Sequence, residues 1–258
     1  MLSVRDLKIT FDGEHSTVEA VKGISYDLEK GKTLGIVGES GSGKTVSGMA
    51  LMGLLPPTAQ VKGQVLFNNE NILGADKKRL QRLRGAEIAL IFQNPLAALN
   101  PVFSIANQMI ETICWHHNVT KKEAREQAVA LLDRVKITDP HRRIDDYPHQ
   151  FSLGMCQRIM IAMTLSMKPA LLIADEPTAS LDVTTQKEIL ELMDELKEEY
   201  QMSMIFISHD LGVVLERCDD VVVMYLGSIV EQGKPHDIFK NPQDSYTKKL
   251  IDAIPKIG

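Results

Sequence analysis

No stretch of this sequence stays apolar for the roughly 18 residues that a membrane-crossing helix needs. Its N-terminus, Met1-Leu2-Ser3-Val4-Arg5-Asp6, lacks the basic segment and apolar core of a secretory signal. The expectation is a soluble, cytoplasmic chain. Cysteine is scarce: Cys114, Cys156 and Cys218 stand apart, with no C-x-x-C pair. That spacing weighs against a disulfide framework or a cysteine metal cage and suits reduced thiols. A basic surplus is missing too. Lys and Arg number 29 against 34 Asp and Glu, for a net charge of −5, which argues against a nucleic-acid partner. Internal repeats and low-complexity segments are absent.

What is present is a chain of 258 residues with 44% hydrophobic content, enough for one large α/β domain or one domain with an insertion. Leu2, Val4, Leu7 and Ile9 against Ser3, Arg5 and Lys8 predict a half-exposed strand. Further strands are expected over 18–28, 33–37, 63–67, 88–92, 170–174, 204–207 and 221–225. From Asn94 to about Met160 the character turns helical. Thr120-x-x-Glu123 is a capping box, and Ala124, Ala128, Leu131, Leu132 and Val135 follow at helical spacing. Ile189, Leu192, Met193, Leu196 and Tyr200 mark another helix. Strands alternating with helices predict a largely parallel, helix-covered sheet.

Between the strand 33–37 and the apolar residues Met49, Leu51, Met52, Leu54 and Leu55 lies Gly38-Glu39-Ser40-Gly41-Ser42-Gly43-Lys44-Thr45. It reads G-x-x-x-x-G-K-T, a phosphate-binding loop in the strand–loop–helix setting that such a loop requires. Glycines let backbone N–H groups turn inward around a phosphate, and the helix after them offers its positive end. Lys44 can reach the outer phosphates, and the Thr45 hydroxyl can ligate Mg²⁺. Asp175 closes an apolar strand, where a phosphate-loop enzyme holds Mg²⁺. Glu176 beside it can orient and deprotonate an attacking water; without a phosphate loop upstream, the pair would read equally well as acids ending a strand. Gln93, after a buried strand, can sense Mg²⁺ or the lytic water. His209, after the strand 204–207, can hydrogen-bond a γ-phosphate, although a histidine in a loop is more often simply solvated. Cys114-Trp115-His116-His117 suggests a metal site, but adjacent helical histidines point about 100° apart and read better as a solvated face. Met155, Met160, Met163 and Met167 read as helix packing.

Together these pieces resemble the ATP-binding-cassette ATPases. Gly38 to Thr45 matches the family's Walker A, Gln93 its Q-loop, Leu171 to Glu176 its Walker B, Ser180-Leu181-Asp182 its D-loop and His209 its switch histidine. Phe151-Ser152-Leu153-Gly154-Met155 stands where the L-S-G-G-Q signature belongs, and Phe11 is the aromatic best placed to stack on adenine. The resemblance covers nearly the whole chain. It implies a P-loop (RecA-like) core with a mostly parallel sheet over 1–93 and 161–258, an N-terminal antiparallel β subdomain, and an inserted α-helical subdomain over 94–160. It also implies ATP and Mg²⁺ as cofactors. Gly38, Ser40, Gly41, Ser42, Gly43, Lys44, Thr45 and Asp175 would hold the nucleotide, with Thr45 and Gln93 toward Mg²⁺ and Glu176, His209 and Gln93 catalytic. Ser152, Leu153, Gly154 and Met155 would act in trans on the partner's nucleotide, and Asp182 would serve as the D-loop residue.

Two stretches narrow the resemblance. Phe92-Gln93-Asn94-Pro95-Leu96-Ala97-Ala98-Leu99-Asn100-Pro101 looks like the F-Q-x-P-x-x-x-L-N-P run of the dipeptide, oligopeptide and nickel uptake subfamily. Ser245 to Pro255 resembles its P-Y-T-x-x-L-L-x-A-I-P tail. The cysteine-bearing extension of many peptide members is not seen before Gly258, as in shorter nickel or metallophore members. Two positions depart from the pattern: Leu153 replaces the first signature glycine, and Cys156 replaces the arginine after Met155. Leu153 brings a branched side chain where backbone normally approaches phosphate, so the partner's site is the one in doubt.

The implied function is ATP hydrolysis for a bacterial-type importer of short peptides, at the cytoplasmic face of the membrane. The implied partners are a second, non-identical ATPase subunit, two transmembrane permease subunits and an extracytoplasmic binding protein, with no nucleic acid. Import of nickel or a metal chelate is the alternative within the same architecture. A soluble cassette ATPase of DNA repair or translation is disfavoured by the acidic balance and by the absence of a coiled-coil insertion or second cassette. A regulatory subunit with little turnover is disfavoured by the intact Glu176 and His209.

Overall fold

The computed structural model describes residues 1–13 and 17–253; Ile254 and Pro255, which close the tail motif, lie outside the described residues. The chain opens with β1 (Leu2–Asp12), β2 (Thr17–Leu28), β3 (Thr33–Val37), α1 (Lys44–Leu51), β4 (Ala59–Phe67), β5 (Glu70–Asn71) and α2 (Lys77–Leu83). Next come β6 (Ile88–Ile91), α3 (Pro95–Ala98), α4 (Ile105–His116), α5 (Lys121–Arg134), α6 (Pro140–Arg143), a 3-10 turn at Pro148–Gln150, α7 (Leu153–Leu165), β7 (Leu171–Asp175) and α8 (Val183–Tyr200). The described part closes with β8 (Ser203–Ser208), α9 (Leu211–Arg217), β9 (Asp220–Tyr225), β10 (Ser228–Gly233), α10 (Pro235–Lys240) and α11 (Ser245–Asp252). These elements form two compact units. One runs from Met1 to Arg84 and again from Ser203 onward; the other is Gly85–Met202.

The first unit contains an antiparallel sheet in the order β2-β1-β4-β5. In β1 the buried residues are Leu2, Val4, Leu7 and Ile9, a set that breaks strict alternation between Val4 and Leu7. The break is a bulge. Asp6 has φ 45° and donates its N–H to the Ser25 hydroxyl at 2.9 Å, while the pairings with β2 and β4 both shift register there. The extra residue turns Leu7 back to the buried face. The same unit holds β10-β9-β3-β8 in sequence across a second sheet, with β3 parallel to both β8 and β9. All five residues of β3 are buried, and Met204–Ile207 and Val221–Met224 are buried too. Near-continuous apolar runs of this kind are what parallel strands covered on both faces require.

In the second unit β6 and β7 pair in parallel, Ile88 opposite Leu171 through Ile91 opposite Ala174. Five helices separate them in the chain. The α5 capping box forms: Glu123 N–H donates to the Thr120 hydroxyl at 3.3 Å, and Thr120 N–H to Glu123 Oε2 at 2.7 Å. Ala124, Ala128, Leu132 and Val135 are buried behind it. Arg158 of α7 is buried, its guanidinium donating to Val135 O at 3.2 Å and to Glu188 Oε2 at 2.7 Å. At the Cys114–His117 stretch the Trp115 side chain is 75% exposed, and no His/Cys/Asp/Glu group suited to a metal ion occurs among the described residues. No described helix is long and apolar enough to cross a membrane.

Candidate functional site

The phosphate loop springs from the buried end of β3 and runs into α1. At two of its glycines a side chain cannot be accommodated. Gly38 has φ 152°, and a Cβ there would collide with Met224 O; Gly43 has φ 100°, and a Cβ would stand 2.6 Å from Ala20 O. The loop thus lies against β2 and β9, and Gly227 N–H donates to Ser42 O at 3.1 Å. Lys44 is 4% exposed. Its Nζ donates to Gly38 O at 2.7 Å and to Glu39 O at 2.8 Å, satisfying a charge that burial would otherwise penalise. Gly43 caps α1 without any side-chain hydrogen bond to the first amides. The Ser42 hydroxyl is buried with no hydrogen-bond partner among the described residues. Buried polar atoms are normally paired. A ligand oxyanion would supply the partner that the Ser42 hydroxyl lacks, at the start of α1, so the cradle fits a phosphate. Ser40, Gly41 and Thr45 line its exposed side.

In the second unit, Asp175 ends β7 and is 6% exposed. Glu176 follows with φ 46°, a left-handed conformation that costs a non-glycine residue about 1 kcal/mol or more. Gln93, two residues beyond β6, donates its Nε2 to Glu176 Oε2 at 2.9 Å. These two expected catalytic residues are therefore brought together. Asn94 caps α3, accepting from Leu96 N–H at 3.0 Å. Around it Phe92, Leu96, Val102 and Phe103 are exposed, between 43% and 71%.

The signature segment is also in this unit. Ser152 caps α7, its hydroxyl accepting from Met155 N–H at 3.3 Å. Leu153 takes the first helical position and is not among the residues with positive φ, so the backbone there does not demand glycine. Gly154 has no positive φ either, but a Cβ there would stand 2.7 Å from Thr185 Cγ2, so a side chain would require Thr185 to shift. Ser152, Leu153, Gly154, Met155, Asp182 and Thr185 line a cavity of about 410 Å³. Asp182 caps α8. The Thr185 hydroxyl, at 2.7 Å, and the Thr185 N–H, at 3.0 Å, hold its carboxyl below the usual value. Cys156 is fully buried, with its Sγ donating to Pro148 O at 3.4 Å, and burial raises its thiol pKa.

His209 lies in the first unit, exposed between β8 and α9. Phe11 is half-buried near the end of β1, opposite Val18 and Ala59. Sequence reasoning missed two supporting side chains. Arg143 lies 4.4 Å over the Phe151 ring and donates to Gln150 O at 3.0 Å and toward Met155 Sδ at 3.6 Å, flanking Ser152 on both sides. Tyr246 accepts a hydrogen bond from Glu39 N–H in the phosphate loop. Arg143 carries no local signal. Tyr246 had one, as part of the tail motif.

Comparison with known proteins gives a consistent set of similarities. A family model described as ABC transporter matches residues 21–179. Over its whole length the chain is 48% identical to the dipeptide transport ATP-binding protein DppD of Bacillus subtilis (strain 168), covering 77% of that protein. It is 46% identical to the oligopeptide transport ATP-binding protein OppD of Salmonella typhimurium, again covering 100% of this chain and 77% of that one. Among solved structures, cbiO1 from Clostridium perfringens, part of the ABC transporter complex cbiONQ, superposes with a TM-score of 0.78 at 30% identity, over 99% of this chain and 96% of that one. The dimeric post-hydrolysis cassette MJ0796 bound to ADP and Pi superposes at 0.81, over 91% and 99%; at 24% identity it speaks for the fold alone.

Proposed function

This chain belongs to the ABC transporter family of ATP-binding subunits, and from that premise we propose that it hydrolyses ATP to energise import of short peptides. The observation that carries the peptide cargo is identity of 48% and 46%, over the whole of this chain and 77% of each relative, to proteins named for dipeptide and oligopeptide transport. Its assembly contains two transmembrane permease subunits, an extracytoplasmic binding protein and a second ATPase subunit, and this chain sits peripherally at the cytoplasmic face.

Bound MgATP supplies the phosphoryl group and its charge-neutralising metal. Gly38, Ser40, Gly41, Ser42, Gly43 and Lys44 hold the phosphates, and Phe11 stacks on the base. Thr45, Asp175 and Gln93 would hold the metal. Glu176 orients the attacking water and takes its proton, and His209 contacts the outer phosphate. Ser152 to Met155, with Asp182 beside them, close over the nucleotide of the second ATPase subunit. Residues 94–160 form the helical subdomain that meets the permease. Leu153 in the signature favours a non-identical partner, because two copies of this chain would carry the bulky residue at both sites.

The test is ATP hydrolysis by the reconstituted assembly of ATPase subunits, permeases and binding protein. Stimulation by the binding protein loaded with a di- or oligopeptide is expected. Stimulation by a nickel chelate and not by peptide would replace the cargo, and absence of hydrolysis under every condition would overturn the transport role.

A further inference from the structure

The tail residues Ser245-Tyr246-Thr247 have no part in the function above, yet one of them reaches the phosphate loop. Asp244 caps α11 by accepting from Tyr246 N–H at 2.7 Å. Glu231 of β10 accepts from Gln243 N–H at 2.9 Å and Asp244 N–H at 3.1 Å, so the start of α11 is tied to the sheet. The Tyr246 side chain is largely buried and packs on Tyr225 at the end of β9, with ring centroids 4.2 Å apart. Its phenol oxygen accepts the Glu39 N–H at 2.8 Å. Burial keeps the phenol pKa above the usual tyrosine value, and the oxygen therefore remains a neutral acceptor.

Glu39 is the exposed residue immediately after Gly38. Its amide is committed to Tyr246 on the loop's outer side. Its carbonyl accepts from Lys44 Nζ at 2.8 Å and from Ser42 N–H at 3.2 Å. Lys44 is also the group that must turn toward the outer phosphates. When it does, its bonds to the Gly38 and Glu39 carbonyls are given up, while the Tyr246 bond is independent of where Lys44 points.

We propose that Tyr246 is a positioning residue for the phosphate loop, its phenol oxygen holding the Glu39 amide so that the cradle keeps its shape when Lys44 leaves the Gly38 and Glu39 carbonyls for a bound phosphate. This rests on Gly38–Thr45 being the ATP site. It gives the C-terminal helix a direct hold on that site across 207 positions of sequence.

The test compares the full-length parent with Tyr246→Phe and Thr247→Val. Tyr246→Phe keeps the ring on Tyr225 and removes only the acceptor. Thr247 is its buried neighbour, and its hydroxyl has no partner among the described residues. Amide hydrogen exchange at Glu39 is measured without nucleotide, and MgATP affinity by calorimetry. One neutral hydrogen bond corresponds to roughly a three- to tenfold effect. Tyr246→Phe should exchange Glu39 faster and bind MgATP more weakly by about that factor, while Thr247→Val leaves both unchanged. Parental exchange at Glu39 in Tyr246→Phe, parental affinity in that variant, or an equal loss in Thr247→Val would each overturn the proposal. Failure of the parent itself to bind MgATP would instead overturn the ATP-site assignment beneath it.

Discussion

Gln93 Nε2 donates to Glu176 Oε2 at 2.9 Å, although the two residues are 83 positions apart. The strand register explains the meeting. Ile91 and Ala174 are paired across the parallel β6 and β7, so two further residues along each segment bring Gln93 and Glu176 side by side. The acid that follows β7 is thereby linked to the segment leading from β6 into α3, where Phe92 and Leu96 are exposed.

The Glu176→Gln substitution keeps the shape and removes the charge. It should leave MgATP affinity close to parental and slow hydrolysis by about 10²-fold or more, the scale of a lost proton-transfer group. Single-turnover hydrolysis with the partner subunit present checks this; a parental rate would move the base elsewhere.

Lys44→Ala should abolish or severely weaken MgATP binding, because phosphate charge in the cradle loses its direct cationic partner. Calorimetry on the isolated chain reads the effect. Since the Lys44 ammonium also ties the Gly38 and Glu39 carbonyls, the variant's thermal stability is measured alongside. Unchanged affinity would exclude Lys44 from the phosphate site.

Residues 94–110 should cross-link to a permease subunit, with a yield that changes between nucleotide-free and ATP-bound assemblies. The exposed side chains of Leu96, Val102 and Phe103 motivate the choice. Exposed apolar clusters mark contact surfaces more often than chance spacing does. No cross-link in either state would exclude this face.

Leu153→Gly should raise turnover at the partner's ATP site and leave this chain's own site nearly unaltered. Misplacing phosphate-contacting groups by about 1 Å can cost roughly 10²-fold, so relief of Leu153 has room to register. The assay inactivates each Walker B glutamate in turn. No gain when only the partner's site is active would mean that Leu153 is accommodated.

Burial raises the Cys156 thiol above its usual 9.0, which makes stability depend on alkaline pH. A group whose folded pKa is raised contributes stability that is fully present below its unfolded pKa and is lost as pH rises through the folded value. Chemical denaturation of the parent should therefore lose stability above about pH 9 faster than that of Cys156→Ser, which does not titrate there. Parallel losses would show that the thiolate plays no part.

Local chemistry made much of this protein legible in advance. The turn from β3 through Gly38 and Gly43 into α1 needs residues without side chains at fixed spacing, and the α5 cap needs Thr120 and Glu123 three apart; both are constraints carried within a few residues. The Asp6 bulge was not legible, since Val4 and Leu7 break alternation and only pairing with β2 and β4 shows that both still face inward.

Sequence alone determined the family, the turn from β3 through Gly38 and Gly43 into α1 and the alternation of strands and helices, because those are carried by ordered motifs, short-range backbone geometry and apolar periodicity. Tertiary structure decided which distant groups touch: Gln93 with Glu176 through strand register, Gly154 under Thr185 through helix packing, and Tyr246 on the Glu39 amide through the docking of the last helix. Such contacts carry no periodic or spacing signal along the chain, since a single hydrogen bond or a single excluded methyl is specified only when the elements that bear the two groups have packed.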